Sequence, residues 1–198
     1  MEKLEQLKQY AYENDVPIMM DDGIDFLCQY IQEVKCKAIL ECGTAIGYSA
    51  IRMALLDGSI TIDTCELKDE FVAIAQKNIE EKGLTRQITV HQGDALEFIT
   101  DKKYDLIFVD AAKSKYRQYM EHFEKNLKDG GQFVFDNLEF HGMVNQPQLA
   151  KSRNTRQLVR KIKCFREYLL SEKRLDTKYF PQIGDGIAVV KLKKSKID

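Results

Sequence analysis

The chain has 198 residues and no apolar run approaching the ~18 that a membrane helix needs. Its first residues, Met1-Glu2-Lys3-Leu4-Glu5, are charged and lack the basic-then-apolar order of a secretory signal. These two absences give the expectation of a cytoplasmic protein without membrane association. Five cysteines (Cys28, Cys36, Cys42, Cys65 and Cys164) form no C-x-x-C pair, and all are expected to stay reduced. The three histidines (His91, His122 and His141) show no H-x-x-x-H spacing of the kind that binds zinc. No repeat, low-complexity tract or linker rich in Pro, Gly or Ser interrupts the chain, so one domain over 1–198 is expected. The formal net charge of -1 leaves whole-chain electrostatics silent on nucleic acid.

What is present is alternation. Residues 2–14 read as an amphipathic helix stopped before Pro17. A second helix spans about 22–34, with Ile24, Leu27 and Ile31 on one stripe. These N-terminal helices (1–34) precede a core (35–198) in which short apolar runs and helices succeed one another. Strands are expected at 38–40, 60–65, 88–91, 105–109 and 133–135. Helices are expected at 47–56, 69–81, 95–99 and 115–127, the last closed by Gly130-Gly131. Five apolar strands separated by helices imply a parallel sheet covered on both faces, an α/β doubly wound, Rossmann-like architecture. A basic helix at about 153–171 and two strand-like runs, 174–179 and 187–192, close the chain as a C-terminal antiparallel pair.

Ligands in such sheets bind at the carboxyl ends of the strands. Each of the five parallel strands ends at or near an acid: Glu41, Glu66, Asp94, Asp110 and Asp136. After the first strand, Glu41-Cys42-Gly43-Thr44-Ala45-Ile46-Gly47-Tyr48-Ser49 carries G-x-x-x-G where a dinucleotide site wants G-x-G-x-x-G. By itself this is also a tight strand-to-helix turn. The acid ahead of the glycine favours a ligand bearing positive charge, as the amine and sulfonium of S-adenosylmethionine do. Glu66 is suited to ribose hydroxyls and Gly93-Asp94-Ala95 to an adenine amine, and each is equally a helix-start acid when taken alone. Asp110, in Phe108-Val109-Asp110-Ala111-Ala112-Lys113, and Asp136-Asn137 end adjacent strands. Two carboxylates and a carboxamide there suit a hard cation such as Mg²⁺ or Mn²⁺; helix-capping acids are the alternative.

The set E-C-G-T-A-I-G-Y-S, F-V-D-A-A-K, F-D-N and Gly184-Asp185-Gly186 resembles the metal-dependent class I O-methyltransferases of catechol and caffeoyl-CoA type, over roughly Met19 to Lys191. By matching position, the resemblance implies cofactor contacts from Met19, Glu41, Gly43, Thr44, Gly47, Ser49, Glu66, Asp94, Ala95 and Asp110. It implies metal ligation by Asp110, Asp136 and Asn137, catalytic roles for Lys113 and Asp110 with Lys113 as general base, and a homodimer. Two alanines, Ala111 and Ala112, stand where the mammalian catechol enzyme carries large pocket-wall residues. That enzyme's carboxylate for the second catechol hydroxyl also has no counterpart here, so a roomier entrance is expected.

From Lys151 to Arg166 the only charges are positive: Lys151, Arg153, Arg156, Arg160, Lys161, Lys163 and Arg166. On a helical wheel Leu158, Ile162, Phe165 and Leu169 share one face, with Arg153, Arg156, Arg160 and Lys163 opposite. A solvated back of a core helix is one account; a seat for an RNA backbone is the other. The stretch Ser152-Arg153-Asn154-Thr155-Arg156 is similar to that of bacterial tRNA 5-hydroxyuridine methyltransferases. That resemblance implies the tRNA anticodon loop as substrate, with 5-methoxyuridine formed at the wobble position. A small catechol-like or phenolic acceptor is the enzyme alternative, and a non-catalytic S-adenosylmethionine- or RNA-binding protein the alternative of another class.

Overall fold

The structure, a computed structural model, describes residues 2–193. Seven strands form one sheet in the order β3-β2-β1-β4-β5-β7-β6. The strands are β1 (Ala38–Cys42), β2 (Thr61–Glu66), β3 (Ile88–Gln92), β4 (Tyr104–Val109), β5 (Leu127–Phe135), β6 (Leu175–Phe180) and β7 (Ile187–Leu192). β1 to β5 run parallel, while β7 pairs antiparallel with both β5 and β6. The helices are α1 (Glu2–Glu13), α2 (Asp21–Glu33), α3 (Tyr48–Ala54), α4 (Asp69–Glu81), α5 (Tyr116–Phe123) and α6 (Arg153–Ser171). This is the expected doubly wound, Rossmann-like architecture with its antiparallel C-terminal pair.

Strand residues alternate between two cores because successive side chains of a strand point to opposite faces. Ile39, Leu106, Phe108 and Val134 face a cluster built with α2 and α3, including Ile24, Leu27, Ile31 and Ile51. Leu40, Ile107, Val109, Phe133 and Phe135 face the other, closed by Met120 and Phe123 of α5 and by Ile162, Phe165 and Leu169 of α6. α1 and α2 therefore add Leu7, Ala11 and the α2 stripe to the first core. No helix among the described residues is long and apolar enough to cross a membrane.

Two expected elements differ. Residues 95–97 form a turn instead of a helix, and 98–99 are irregular. Gly93 adopts φ +132 and Asp94 Oδ1 accepts the Leu96 N–H at 3.0 Å, an Asx turn that satisfies the backbone locally. The helix expected to run to 127 ends at Phe123 in a 3₁₀ turn, and β5 begins at Leu127 and passes through Gly130-Gly131. The buried Asn126 amide donates to the carbonyls of Thr100 and Lys102 at 2.7 and 3.0 Å, drawing the chain out of the helix. Tyr104 pairs with Leu127 but Leu106 with Gln132, so residues 128–131 bulge. Gly131 permits it, since a Cβ there would lie 2.9 Å from the Tyr104 carbonyl oxygen.

Candidate active site

The chain order reverses between β1 and β4, the switch point at which parallel sheets open a crevice. A cavity of about 450 Å³ lies there. Of the residues expected to contact a cofactor, Met19, Gly43, Thr44, Ser49, Glu66, Asp94, Ala95 and Asp110 line it; Glu41 and Gly47 are not part of the wall. Glu41 is fully buried, and its two carboxylate oxygens accept from the hydroxyls of Ser49 and Thr64. Burial pushes its pKa up to about 7. It thereby ties β1 and β2 to the start of α3. Gly43 has φ +102, and a Cβ on it would stand 2.3 Å from the Asp110 carbonyl oxygen, so only glycine lets the ends of β1 and β4 meet. Glu66 accepts from the backbone N–H groups of Ala45 and Lys68 at 2.8 and 2.9 Å, shaping the loop after β1. Asp94 is gripped by Lys115 Nζ at 2.7 Å, which holds its carboxyl below the usual range.

At one end of the cavity stand Asp110, Lys113, Asp136 and Asn137. Parallel pairing of β4 with β5 brings Asp110 and Asp136 side by side. Removal from water raises the pKa of both, and Asp110 raises that of Asp136 further. Lys113 Nζ, 3.3 Å from Asp110 Oδ1, offsets part of this. Asn137 adopts φ +58, a conformation asparagine tolerates, and its N–H donates to Asp136 Oδ1 at 2.7 Å. Tyr116 donates its hydroxyl to the Asp136 carbonyl at 2.9 Å, fixing the end of β5.

Among the described residues no three His, Cys, Asp or Glu side chains gather as a metal site. The oxygen donors here are two carboxylates and the Asn137 carboxamide, with too little positive charge around them. That donor set and that charge deficit fit a hard divalent cation.

The sequence reading assigned no site role to three further contributors. Asp185, buried in the turn between β6 and β7, accepts from the His141 N–H at 2.6 Å and from Asn137 Nδ2 at 3.4 Å. Its Gly-Asp-Gly setting was the available signal. That turn is pinned to α2 through Gly184 N–H and Asp22 Oδ2 at 2.9 Å. His141 lines the cavity with φ +56, and Lys115 lines it beside Asp94. For neither did local sequence offer a sign.

α6 begins at the Ser152 cap, whose hydroxyl accepts the Thr155 N–H at 3.0 Å. Its buried face is Val159, Ile162, Phe165 and Leu169, with Leu158 half-buried. Arg153, Arg156, Arg160 and Lys163 are all exposed. Arg156 turns back onto the Ala150 and Lys151 carbonyls, and Lys163 lies 3.9 Å from Glu167. Arg160 instead lines a second groove of about 570 Å³ between α5 and α6, and Lys113 belongs to both this groove and the cavity.

The O-methyltransferase family model matches residues 1–193. A catechol O-methyltransferase of Niastella koreensis is 29% identical over 179 residues, covering 85% of this chain and 79% of its own. Caffeoyl-CoA O-methyltransferase 1 of Arabidopsis thaliana is 29% identical over 95% of this chain and 77% of its own. A Staphylococcus aureus structure provisionally assigned as a caffeoyl-CoA O-methyltransferase superposes with TM-score 0.90 at 34% identity, over 96% of this chain and 91% of that one. A Bacillus cereus O-methyltransferase solved with S-adenosylhomocysteine gives 0.82 at 27%, over 98% and 91%. The chain thus belongs to the O-methyltransferase family and is an S-adenosylmethionine-dependent O-methyltransferase.

Proposed function

We propose that the protein methylates the 5-hydroxyl of 5-hydroxyuridine at the tRNA wobble position, giving 5-methoxyuridine. The observation that carries this reading is a basic groove that adjoins the cavity, with Lys113 lining both. An anticodon base is unpaired and can be turned into a pocket, the usual way proteins read RNA sequence. Its 5-hydroxyl and O4 are vicinal, as the two oxygens of a catechol are.

When bound, S-adenosylmethionine supplies the methyl group on a sulfonium, and a divalent cation would supply Lewis acidity that lowers the pKa of the substrate hydroxyl. Asp110, Asp136 and Asn137 are the residues to hold that cation. Lys113, as the neutral amine, takes the hydroxyl proton at Nζ while the oxygen bonds to the methyl carbon and the methyl–sulfur bond breaks, leaving S-adenosylhomocysteine. Met19, Gly43, Thr44, Ser49, Glu66, Asp94 and Ala95 orient the cofactor from the cavity wall, and Glu41 and Gly47 support that wall from behind. Alignment of the two reactants supplies most of the rate. Ala111 and Ala112 keep the entrance wide enough for a nucleotide.

A small phenolic acceptor is the second reading, favoured by the names of the relatives. Methyl transfer from labelled S-adenosylmethionine, with and without a chelator, separates the two. Label entering tRNA that carries 5-hydroxyuridine, and lost with the chelator, is the expected result. Label entering only a catechol panel refutes the RNA reading.

A further inference from the structure

The groove between α5 and α6 has a lining of consistent chemistry. Arg117, Arg160 and Lys161 contribute three positive charges beside Lys113, and no acidic side chain lines it. Neither Arg160 nor Lys161 has an ion-pair partner among the described residues. The Arg117 guanidinium lies 4.2 Å over the Tyr168 ring, making a flat platform. That platform is built in advance. Arg117 Nε donates to Glu121 at 2.8 Å, and the Tyr168 hydroxyl accepts from Arg174, which Glu124 holds at 2.7 Å. α6 packs directly on the turn Lys113–Lys115, so the groove starts where the cavity ends.

We infer that this groove seats the nucleotides flanking the reacting base of a single-stranded RNA, an inference that rests on the RNA reading above. Arg160 and Lys161 meet backbone phosphates, and the Arg117–Tyr168 platform stacks a neighbouring base. Gln118 and Gln157, also on the lining, present amides to base edges. A strand fits better than a compact anion because the positive face continues past the groove. α6 has 19 residues and is therefore about 28 Å long, with Arg153 and Arg156 toward its free end. One small ligand does not span that length.

The test is fluorescence anisotropy with a seven-nucleotide, uridine-centred single-stranded RNA across a salt series, using the intact protein. S-adenosylhomocysteine affinity serves as the folding control. The double variant Arg160→Gln/Lys161→Gln should bind at least tenfold more weakly. Its slope of log K against log salt should be shallower by about 1.4, the value for two released single-strand phosphate contacts. Tyr168→Ala should weaken binding about tenfold with the slope retained, the mark of lost stacking. Wild-type binding and slope in both variants overturn the inference. If such variants appear while the wild type methylates 5-hydroxyuridine tRNA, the groove assignment fails and the RNA reading stands. A wild type that neither binds the oligonucleotide nor methylates tRNA removes both. Coenzyme A binding that is lost in the double variant, with oligonucleotide binding unchanged, also overturns the inference and gives the groove to a thioester substrate.

Discussion

Arg166→Met should destabilise the fold and slow the enzyme by different amounts. Glu139 is 7% exposed, in the loop that follows Asp136-Asn137, and its carboxylate is met by Arg166 of α6, Tyr179 of β6 and Asn145. The two ion-pair side chains are 13% and 10% exposed, so the pair is a buried one. Removing one partner of such a pair costs about 3–5 kcal/mol, because an uncompensated charge stays inside. The Tyr179 and Asn145 hydrogen bonds survive in the variant, which puts the expected loss at about 3 kcal/mol. With a urea m-value near 2 kcal/mol/M, the midpoint falls by about 1.5 M. The double variant Glu139→Leu/Arg166→Met should recover most of that, since an apolar replacement of a buried pair is close to neutral. Turnover should not recover. Asn137, Phe140 and His141 all have φ between 46 and 58, and each costs about 1–3 kcal/mol unless the surroundings enforce it. Glu139 helps enforce it, through its side chain and through its N–H to the Asp185 carbonyl at 2.8 Å. Urea denaturation and steady-state kinetics on the wild type and both variants decide the matter. A single variant within about 1 kcal/mol of wild type, or a double variant no more stable than the single, refutes the reasoning.

Other perturbations reach the site from different sides. Asp136→Ala should abolish turnover while calorimetry finds S-adenosylhomocysteine affinity within a few-fold of wild type; an equal loss of cofactor affinity refutes the metal-ligand role. Gly43→Ala forces a Cβ to 2.3 Å from the Asp110 carbonyl at φ +102, and should lower stability by about 2 kcal/mol or more and weaken cofactor binding, read by thermal melts with and without S-adenosylhomocysteine. Glu41 carries a folded pKa of about 7 against an ordinary 4.5, so it stabilises the fold fully below pH 4.5 and loses that contribution as pH rises through 7. The loss is on the order of 3 kcal/mol, and Glu41→Gln, compared with wild type by urea denaturation at pH 5 and pH 8, should gain relative stability at the higher pH. A difference that does not change with pH counts against the buried, protonated Glu41.

The strand-end acids were legible because of a coincidence of two periods. Apolar runs mark strands, parallel strands must share a carboxyl edge, and so Glu41, Glu66, Asp94, Asp110 and Asp136 were bound to arrive at one edge of the sheet. Their individual duties were not legible. Nothing local in the sequence distinguishes Glu41, locked by Ser49 and Thr64 behind the wall, from Asp110, which faces the cavity. The helix boundary at Phe123 escaped for a related reason: Asn126 ends the helix through carbonyls more than twenty residues away. α6 divides along the same line. Its 3.6-residue period fixes the buried stripe of Ile162, Phe165 and Leu169, yet treats every cation on the far side alike. Tertiary packing separates them. Arg156 serves the helix start, Arg166 serves Glu139, and Arg160 is left open beside Lys113 because α5 lies where it does. The carboxylate end of the cavity is short of positive charge while the groove beside it has an excess, and Lys113 stands at their junction; on the RNA reading proposed above, phosphates in the groove would bring the substrate's oxygens toward the acids.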